Sequence, residues 1–135
     1  MSEKELVSLA KKAAERAYVP YSGYTVGAAL LCESGEVYLG CNIENAAYSP
    51  TVCAERTAFF KAVSEGEKNF KAIAVVGGKA LDFNDYFTPC GVCRQVMAEF
   101  CSSDFKVIFG KNGDEYKVVT LGEILPYSFS KQSLK

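Results

Sequence analysis

Three cysteines and one glutamate in this sequence have the residue types and spacing of a metal-dependent catalytic site. Cys53 lies two positions before Glu55 in TVCAERTA, and Cys90 and Cys93 lie three positions apart in PCGVC. Residues three apart at the start of a helix are neighbours on its surface, so these two sulfur atoms can hold one ion. Cys53 is also expected at a helix start, where the helix dipole and free amide groups favour a thiolate. The pattern predicts three sulfur atoms converging on one metal.

The composition of this donor set indicates which metal it binds. The chain has no histidine, and three thiolate ligands favour zinc. A structural zinc site has four protein ligands, whereas a catalytic site has three and leaves one position for water, beside which Glu55 can shuttle a proton. Two alternatives stay open, a redox dithiol and a structural zinc knot, and neither needs Glu55. The other cysteines are expected to be buried free thiols, namely Cys32, Cys41 and Cys101.

Two arginines next to these residues are candidates for balancing the charge of the site. Three thiolates and Zn²⁺ leave one negative charge, and ionising a bound water adds another, which opposes hydroxide formation. Arg56 follows Glu55, and Arg94 follows Cys93. One cation about 4 Å away contributes roughly 4 kcal/mol at an effective dielectric constant of about 20, or about three pKa units. Arg56 is therefore predicted to support zinc retention or activity, and the role of Arg94 is left open.

The apolar pattern of the chain predicts the elements that carry these side chains. A capping box of Ser2 and Glu5 begins a first helix, which ends before Pro20. The elements predicted after it are strands TVGAALLC and EVYLGCNI, a helix over residues 53–65, strand KAIAVVGG, a helix over residues 91–100, strands FKVIFG and EYKVVT, and a helical turn LGEIL. This order predicts an α/β fold with a mixed five-stranded sheet between helices, whose second to fourth strands alternate with helices as in a parallel layer.

Length and charge limit the function classes that fit the chain. The 135 residues predict a single domain over residues 1–135, and the 49% hydrophobic content is typical of a globular protein. With 15 basic and 16 acidic residues, no row of cations is available for a polynucleotide, so a small substrate is expected. No apolar stretch has the length of a signal-peptide core or a bilayer span. We therefore expect a cytoplasmic protein with reduced thiols and no membrane contact.

The motifs NIENAAY, TVCAERTA and PCGVCRQV, in this order, resemble the small homo-oligomeric cytidine deaminase family. The resemblance extends through VPYSGYTVGAAL upstream and LPYSF downstream, and so covers nearly the whole chain. It implies a three-layer α/β/α fold and hydrolysis of cytidine or deoxycytidine to the uracil nucleoside and ammonia, a step of pyrimidine salvage. It also implies that Cys53, Cys90 and Cys93 bind one zinc ion per subunit, while Glu55 protonates the ring nitrogen and passes the proton to departing ammonia.

The resemblance assigns three further residues to the nucleoside. It implies that the Ala54 amide holds the carbonyl of the base, and that Asn42 and Glu44 of NIEN bind the ribose 3′-hydroxyl. An amide and a carboxylate accept hydrogen bonds from sugar hydroxyls, whereas a carboxylate repels phosphate, which favours a nucleoside over a nucleotide. Taken without the family, Asn42 and Glu44 fit a strand-end turn equally well.

Three aromatic residues receive roles at the substrate or between subunits. Tyr24 falls where the family usually has phenylalanine packed on the nucleoside. Phe129 matches an aromatic residue that completes a neighbouring subunit's site, and Tyr48 is expected at a subunit junction. These shared sites imply a homotetramer. By residue type alone, each of these aromatic side chains is more often part of core or surface packing than a ligand contact.

Three other functions compete with this interpretation. A deaminase of another small aminopyrimidine, such as blasticidin S, would share the fold and the metal site, but NIEN argues against it. A polynucleotide-editing deaminase is disfavoured by the near-neutral charge and the lack of long insertions. A non-catalytic zinc-binding module would have no need for Glu55.

Overall fold

Helix α1 (Glu3–Ala14) begins at the capping box that the sequence predicts. In the computed structural model, which describes residues 1–135, the Glu5 N–H donates to the Ser2 hydroxyl and the Ser2 N–H donates to the Glu5 carboxylate, both at 3.1 Å. The apolar residues of the helix are buried, and they are Leu6, Val7, Ala10, Ala13 and Ala14. The helix therefore has one apolar face, which it packs against the sheet.

The other elements follow the predicted order. They are β1 (Tyr24–Cys32), β2 (Val37–Cys41), α2 (Ala54–Ser64), β3 (Phe70–Lys79), α3 (Gly91–Phe100), β4 (Lys106–Gly110), β5 (Tyr116–Thr120), α4 (Leu121–Ile124) and a 3₁₀ helix at Lys131–Leu134. Gly66, with φ of 99°, adopts the left-handed conformation predicted just after α2. The 3₁₀ helix was not predicted, because four residues are too few to produce a periodic apolar pattern. None of the helices has the length and apolar character needed to span a bilayer.

The five strands form one mixed sheet in the order β2-β1-β3-β4-β5. Strand β1 is antiparallel to both β2 and β3, β3 and β4 are parallel, and β4 and β5 are antiparallel. The expectation of a parallel layer from the second to the fourth strand is therefore met only by β3 and β4. The reason is that β1 lies between β2 and β3, so these two strands run in the same direction without pairing.

Helices cover both faces of the sheet and confirm the three-layer α/β/α architecture. On one face α1 packs against Ala29, Ala72, Ala74, Val76 and Ile108. On the other face α2 and α3 contribute Ala58, Phe59, Ala62, Cys93 and Met97 to a larger core with Leu30, Ile73, Val75 and Val107. The residues predicted to bind metal lie on α2 and α3, so the second face carries the candidate site.

Candidate active site

The first residues of α2 and α3 bring the three predicted cysteine ligands together. Cys53 is the N-cap of α2, and Cys90 is the N-cap of α3. Their sulfur atoms lie 3.7 Å apart, and the sulfur atoms of Cys53, Cys90 and Cys93 all lie within 4.8 Å of one another. Two N-cap positions and one first-turn position thus produce a compact group of three sulfurs.

The geometry of this sulfur group fits zinc. Two sulfur atoms on a tetrahedral zinc ion, each about 2.3 Å from the metal, are roughly 3.8 Å apart. The 3.7 Å between the sulfurs of Cys53 and Cys90 agrees with that separation. Three soft sulfur donors without a histidine or carboxylate in the group are also the donor chemistry that zinc accepts.

Glu55 is buried beside these cysteines without a hydrogen-bond partner. The residue is 1% exposed, and neither carboxylate oxygen has a partner in the protein. Burial, followed by the nearby Cys53 charge, raises the pKa of the Glu55 carboxyl to about 7. A buried acid without a partner is costly, and in native proteins such a group indicates a functional site. The placement agrees with the proton-transfer role expected from the sequence.

The sulfur atoms of the group differ in acidity. A hydrogen bond from the Cys93 thiol is the largest cause that lowers the pKa of Cys53, to about 5, and Arg56 contributes further. The same bond to Cys53, together with burial, raises the pKa of Cys93. The hydrogen bond and Arg56 therefore favour the thiolate form at Cys53 over that at Cys93. Binding of a metal to the sulfur group releases its thiol protons.

The two arginines next to the site have different partners. Arg56 donates from Nη2 to the Cys53 sulfur at 3.3 Å, as a charge-balancing cation should. Arg94 instead donates to the Pro89 carbonyl at 2.7 Å and to the Ile124 carbonyl at 2.6 Å. Arg94 therefore ties the start of α3 to α4, and its guanidinium is used in backbone contacts.

The segment after β2 places Asn42 and Glu44 next to the start of α2. Ile43, between them, exchanges two backbone hydrogen bonds of 3.0 Å with Val52, the residue that precedes Cys53. The Asn42 side chain accepts from the Val26 N–H at 3.0 Å and donates to a carbonyl of β1 at 2.9 Å. Both residues thus flank a strand segment bonded to the N-cap region of α2.

Glu44 holds the loop that precedes β1. Its carboxylate accepts from the N–H groups of Tyr21 at 3.1 Å and Ser22 at 3.2 Å, and from the Ser22 hydroxyl. The Ser22 hydroxyl is the main cause that lowers the pKa of Glu44. These bonds fit a strand-end turn, which is the alternative to ribose binding that the sequence alone allows for Glu44. A ribose hydroxyl would share the carboxylate with this loop.

The remaining predicted residues range from fully buried to largely exposed. Ala54, the first residue of α2, is 0% exposed, whereas Tyr24 is 40%, Phe129 is 64% and Tyr48 is 85% exposed.

The Tyr24 ring packs against Phe87, with ring centroids 6.1 Å apart. Sequence analysis missed Phe87, although it stands three residues before Cys90. Two cavities, of about 730 Å³ between α1 and β2 and about 480 Å³ beside the C-terminal residues, are lined by no predicted site residue, although Ser128 and Ser130 of the smaller cavity flank Phe129.

Comparisons with known proteins agree with the geometry. Residues 1–111 match the family model described as the cytidine and deoxycytidylate deaminase zinc-binding region. A cytidine deaminase of Sporosarcina psychrophila is 52% identical over 134 residues, which is 99% of this chain and 96% of that protein. One of Halalkalibacterium halodurans is 48% identical, with 99% and 98% covered. The crystal structure of cytidine deaminase from Burkholderia pseudomallei has a TM-score of 0.88 at 43% identity, covering 96% of this chain and 100% of that chain.

Proposed function

The chain belongs to the cytidine and deoxycytidylate deaminase family, and from that premise we propose that it hydrolyses cytidine and deoxycytidine to uridine and deoxyuridine with release of ammonia. It is an enzyme, and residues 1–135 form one catalytic domain in this proposal. The observation that best supports this function is the buried carboxyl of Glu55, which has no hydrogen-bond partner and lies beside three convergent sulfur atoms. A redox dithiol or a structural zinc site would not require such a group.

Each residue of the site has a defined part in this reaction. Cys53, Cys90 and Cys93 would hold the zinc ion, which when bound acts as a Lewis acid that lowers the pKa of water. Glu55 accepts a proton from the attacking water and donates it to the ring nitrogen next to the amino group; it then takes the second proton of the same oxygen and gives it to the amino group, which leaves as ammonia. The N–H of Ala54, a free helix-end donor at the start of α2, would donate to the base carbonyl.

Ribose recognition is the proposed role of Asn42 and Glu44. Support comes from the backbone bonds between Ile43 and Val52, which hold the segment that carries both residues beside the N-cap region of α2. Tyr24, which follows the loop that Glu44 braces, would contact the nucleoside through its exposed ring. The sugar would therefore lie between the β2 end and the metal site.

One assay compares the proposed substrate with its rivals. The ultraviolet absorption of cytidine, deoxycytidine, blasticidin S and a cytosine-containing oligonucleotide is followed after mixing with the protein, with Glu55→Ala as the inactive control. We expect turnover of the two nucleosides only. Turnover of blasticidin S or of the oligonucleotide at a comparable rate, or no turnover of cytidine, would contradict the proposal.

Arg56→Gln is expected to weaken zinc retention or turnover by roughly 10–100-fold, the usual effect of removing a group that supports a metal ligand. The amide keeps the side chain polar but is two atoms shorter and removes the cation that lies 3.3 Å from the Cys53 sulfur. Zinc content after dialysis against a chelator, together with cytidine turnover, measures the effect. Arg16→Gln, at an exposed position two residues after the end of α1, is the matched control. Wild-type values for both quantities in the Arg56 variant would reject its role.

Glu44→Gln is expected to raise KM for cytidine roughly tenfold or more with a smaller change in kcat, because a charged acceptor for the sugar hydroxyl is lost. Loosening of the loop at Tyr21 and Ser22 could also raise KM, so 3′-deoxycytidine separates the two causes. If Glu44 binds the 3′-hydroxyl, removing that hydroxyl has little further effect in the variant. Additive effects would assign Glu44 to the loop alone. Glu33→Gln, at an exposed turn, is the control.

A homotetramer is the proposed assembly, with Tyr48 and Phe129 at contacts between subunits. Large exposed aromatic side chains support an interface, and Tyr127 is fully exposed close to Phe129. Light scattering coupled to size-exclusion chromatography is expected to give four times the mass of the chain. A stable monomer that retains full turnover would contradict both the assembly and the shared site.

We further infer a cytoplasmic location. All six cysteines are free, and the sulfur atoms of the candidate site must stay reduced to bind a metal. A reducing compartment meets this requirement. Fractionation of cells that produce the protein is expected to recover it with the cytosolic fraction.

A further inference from the structure

We propose that Gly40 is a positioning residue for the metal site, because its missing side chain lets the first turn of α2 approach β2. This approach places Cys53 and Glu55 against the cysteines of α3. The inference rests on the proposed function, since it assigns the consequence of the contact to zinc binding and turnover. Gly40 itself touches neither substrate nor metal in this proposal.

Gly40 lies against the backbone of α2. It pairs with Ala28 in the sheet, and a Cβ atom at position 40 would lie 2.4 Å from the carbonyl oxygen of Ala54. The same atom would lie 2.6 Å from the backbone nitrogen of Ala58 and 3.0 Å from its Cβ. Cβ atoms essentially never approach other heavy atoms within 3.0 Å. Only glycine therefore allows this distance between strand and helix.

The atoms in this contact belong to the part of α2 that carries the chemistry. Ala54 stands between Cys53 and Glu55, and Ala54 and Ala58 are both fully buried. A clash with backbone atoms cannot be relieved by turning a side chain, so the helix and the strand would have to separate. Reaching ordinary van der Waals contact from 2.4 Å requires a shift of roughly 1 Å.

A shift of this size is large for a metal site. Cys90 and Cys93 come from α3, so movement of α2 changes the distance between their sulfur atoms and that of Cys53. Ligand distances in metal sites must be met within about 0.2 Å. A misplacement of about 1 Å in catalytic groups can lower turnover by roughly 10²-fold. The position of α2 relative to β2 is therefore expected to control both zinc affinity and turnover.

The sheet contains a matched contact on its other face. A Cβ atom at Gly27 of β1 would lie 2.0 Å from the carbonyl oxygen of Ala10 and 2.5 Å from the backbone nitrogen of Ala14, in α1. The contact has the same form, a strand glycine against two helix alanines four residues apart. No proposed site residue lies on α1. Gly27 thus provides a control that disturbs packing at least as strongly without moving the sulfur group.

The test compares Gly40→Ala with Gly27→Ala. Zinc affinity is measured by competition with a chelator, the geometry of the site by the absorption spectrum of the cobalt-substituted protein, and stability by thermal unfolding. We expect Gly40→Ala to bind zinc at least tenfold more weakly, to change the cobalt spectrum and to lose roughly 10²-fold in cytidine turnover. Gly27→Ala is expected to lose at least as much stability but to keep the wild-type zinc affinity and cobalt spectrum.

A milder pair of variants decides the question if the alanine variants do not fold. Ala58→Ser and Ala14→Ser add one hydroxyl to the same two contacts from the helix side. Ala58→Ser should weaken zinc binding and alter the cobalt spectrum, whereas Ala14→Ser should not. Wild-type zinc affinity and spectrum in the Gly40 or Ala58 variant, with only a loss of stability, would overturn the inference. If the wild type fails to deaminate cytidine, the proposed function fails, while the zinc comparison still tests Gly40.

Discussion

Replacing Glu55 by glutamine is expected to lower cytidine turnover by roughly 10²–10⁴-fold while zinc stays bound and the fold becomes at least as stable. The amide has the size of the carboxyl but cannot pass the protons of the attacking water to the ring nitrogen and to the leaving ammonia. Zinc should be retained, because the three sulfur atoms that hold it are unchanged. Activity and stability should therefore change in opposite directions.

The expected gain in stability follows from the burial of Glu55. The residue is 1% exposed and neither carboxylate oxygen has a hydrogen-bond partner, so folding removes an acid from water without replacing its hydrogen bonds. A neutral amide loses less solvation free energy than a carboxylate in the same position. Functional sites commonly contain groups of this kind at a cost in stability.

Turnover, zinc content and thermal unfolding measured on the same sample test this expectation. Glu65→Gln, at the exposed C-terminal end of the same helix, is the matched control and should resemble the wild type in all three. Turnover within tenfold of the wild type would remove Glu55 from the reaction. Loss of zinc together with turnover would instead assign Glu55 to metal retention.

Replacing Cys93 by serine is expected to remove zinc, to lower turnover by more than roughly 10²-fold and to destabilise the fold. Cys93 is 1% exposed, and its sulfur belongs to the three-sulfur group. A hydroxyl is a harder donor that stays protonated near neutral pH, so two sulfur ligands would remain. A metal that binds only the folded state stabilises it by about 4 kcal/mol at 1,000 times its Kd, and this contribution would be lost.

The thermal unfolding of wild type and variant, with and without a chelator, measures the stability change. The chelator should lower the unfolding temperature of the wild type toward that of the variant, whose own value should not depend on it. Cys101→Ser is the matched control, because Cys101 is a partly buried free thiol outside the sulfur group. A Cys93 variant with full zinc content and a chelator-sensitive unfolding temperature would exclude Cys93 as a ligand.

Local sequence signals were sufficient to predict the α-helices, the strands and the grouping of the three cysteines. The capping box at Ser2 and the glycine after α2 are short-range features, so the residues themselves specify them. Cys53 and Cys90 were expected at helix starts, and both are N-cap residues. Each of these features depends on interactions within a few residues along the chain.

Features that depend on distant residues were not predictable from the pattern alone. The insertion of β1 between β2 and β3 is decided by pairing across the sheet, which apolar periodicity does not report. The bonds of Arg94 to Pro89 and Ile124 also join segments whose proximity arises only on folding. The bonds of Glu44 to the loop before β1 belong to the same class.

The separation of α1 from α2 and α3 by the sheet has a practical consequence for making a heat-tolerant biocatalyst. Substitutions in the core beneath α1, around Leu6, Val7 and Ile108, change packing on the face that carries no proposed site residue. Repacking of this core and directed evolution for thermostability can therefore target the α1 face of the sheet. Stabilising substitutions there do not alter the residues proposed to act in catalysis on the opposite face.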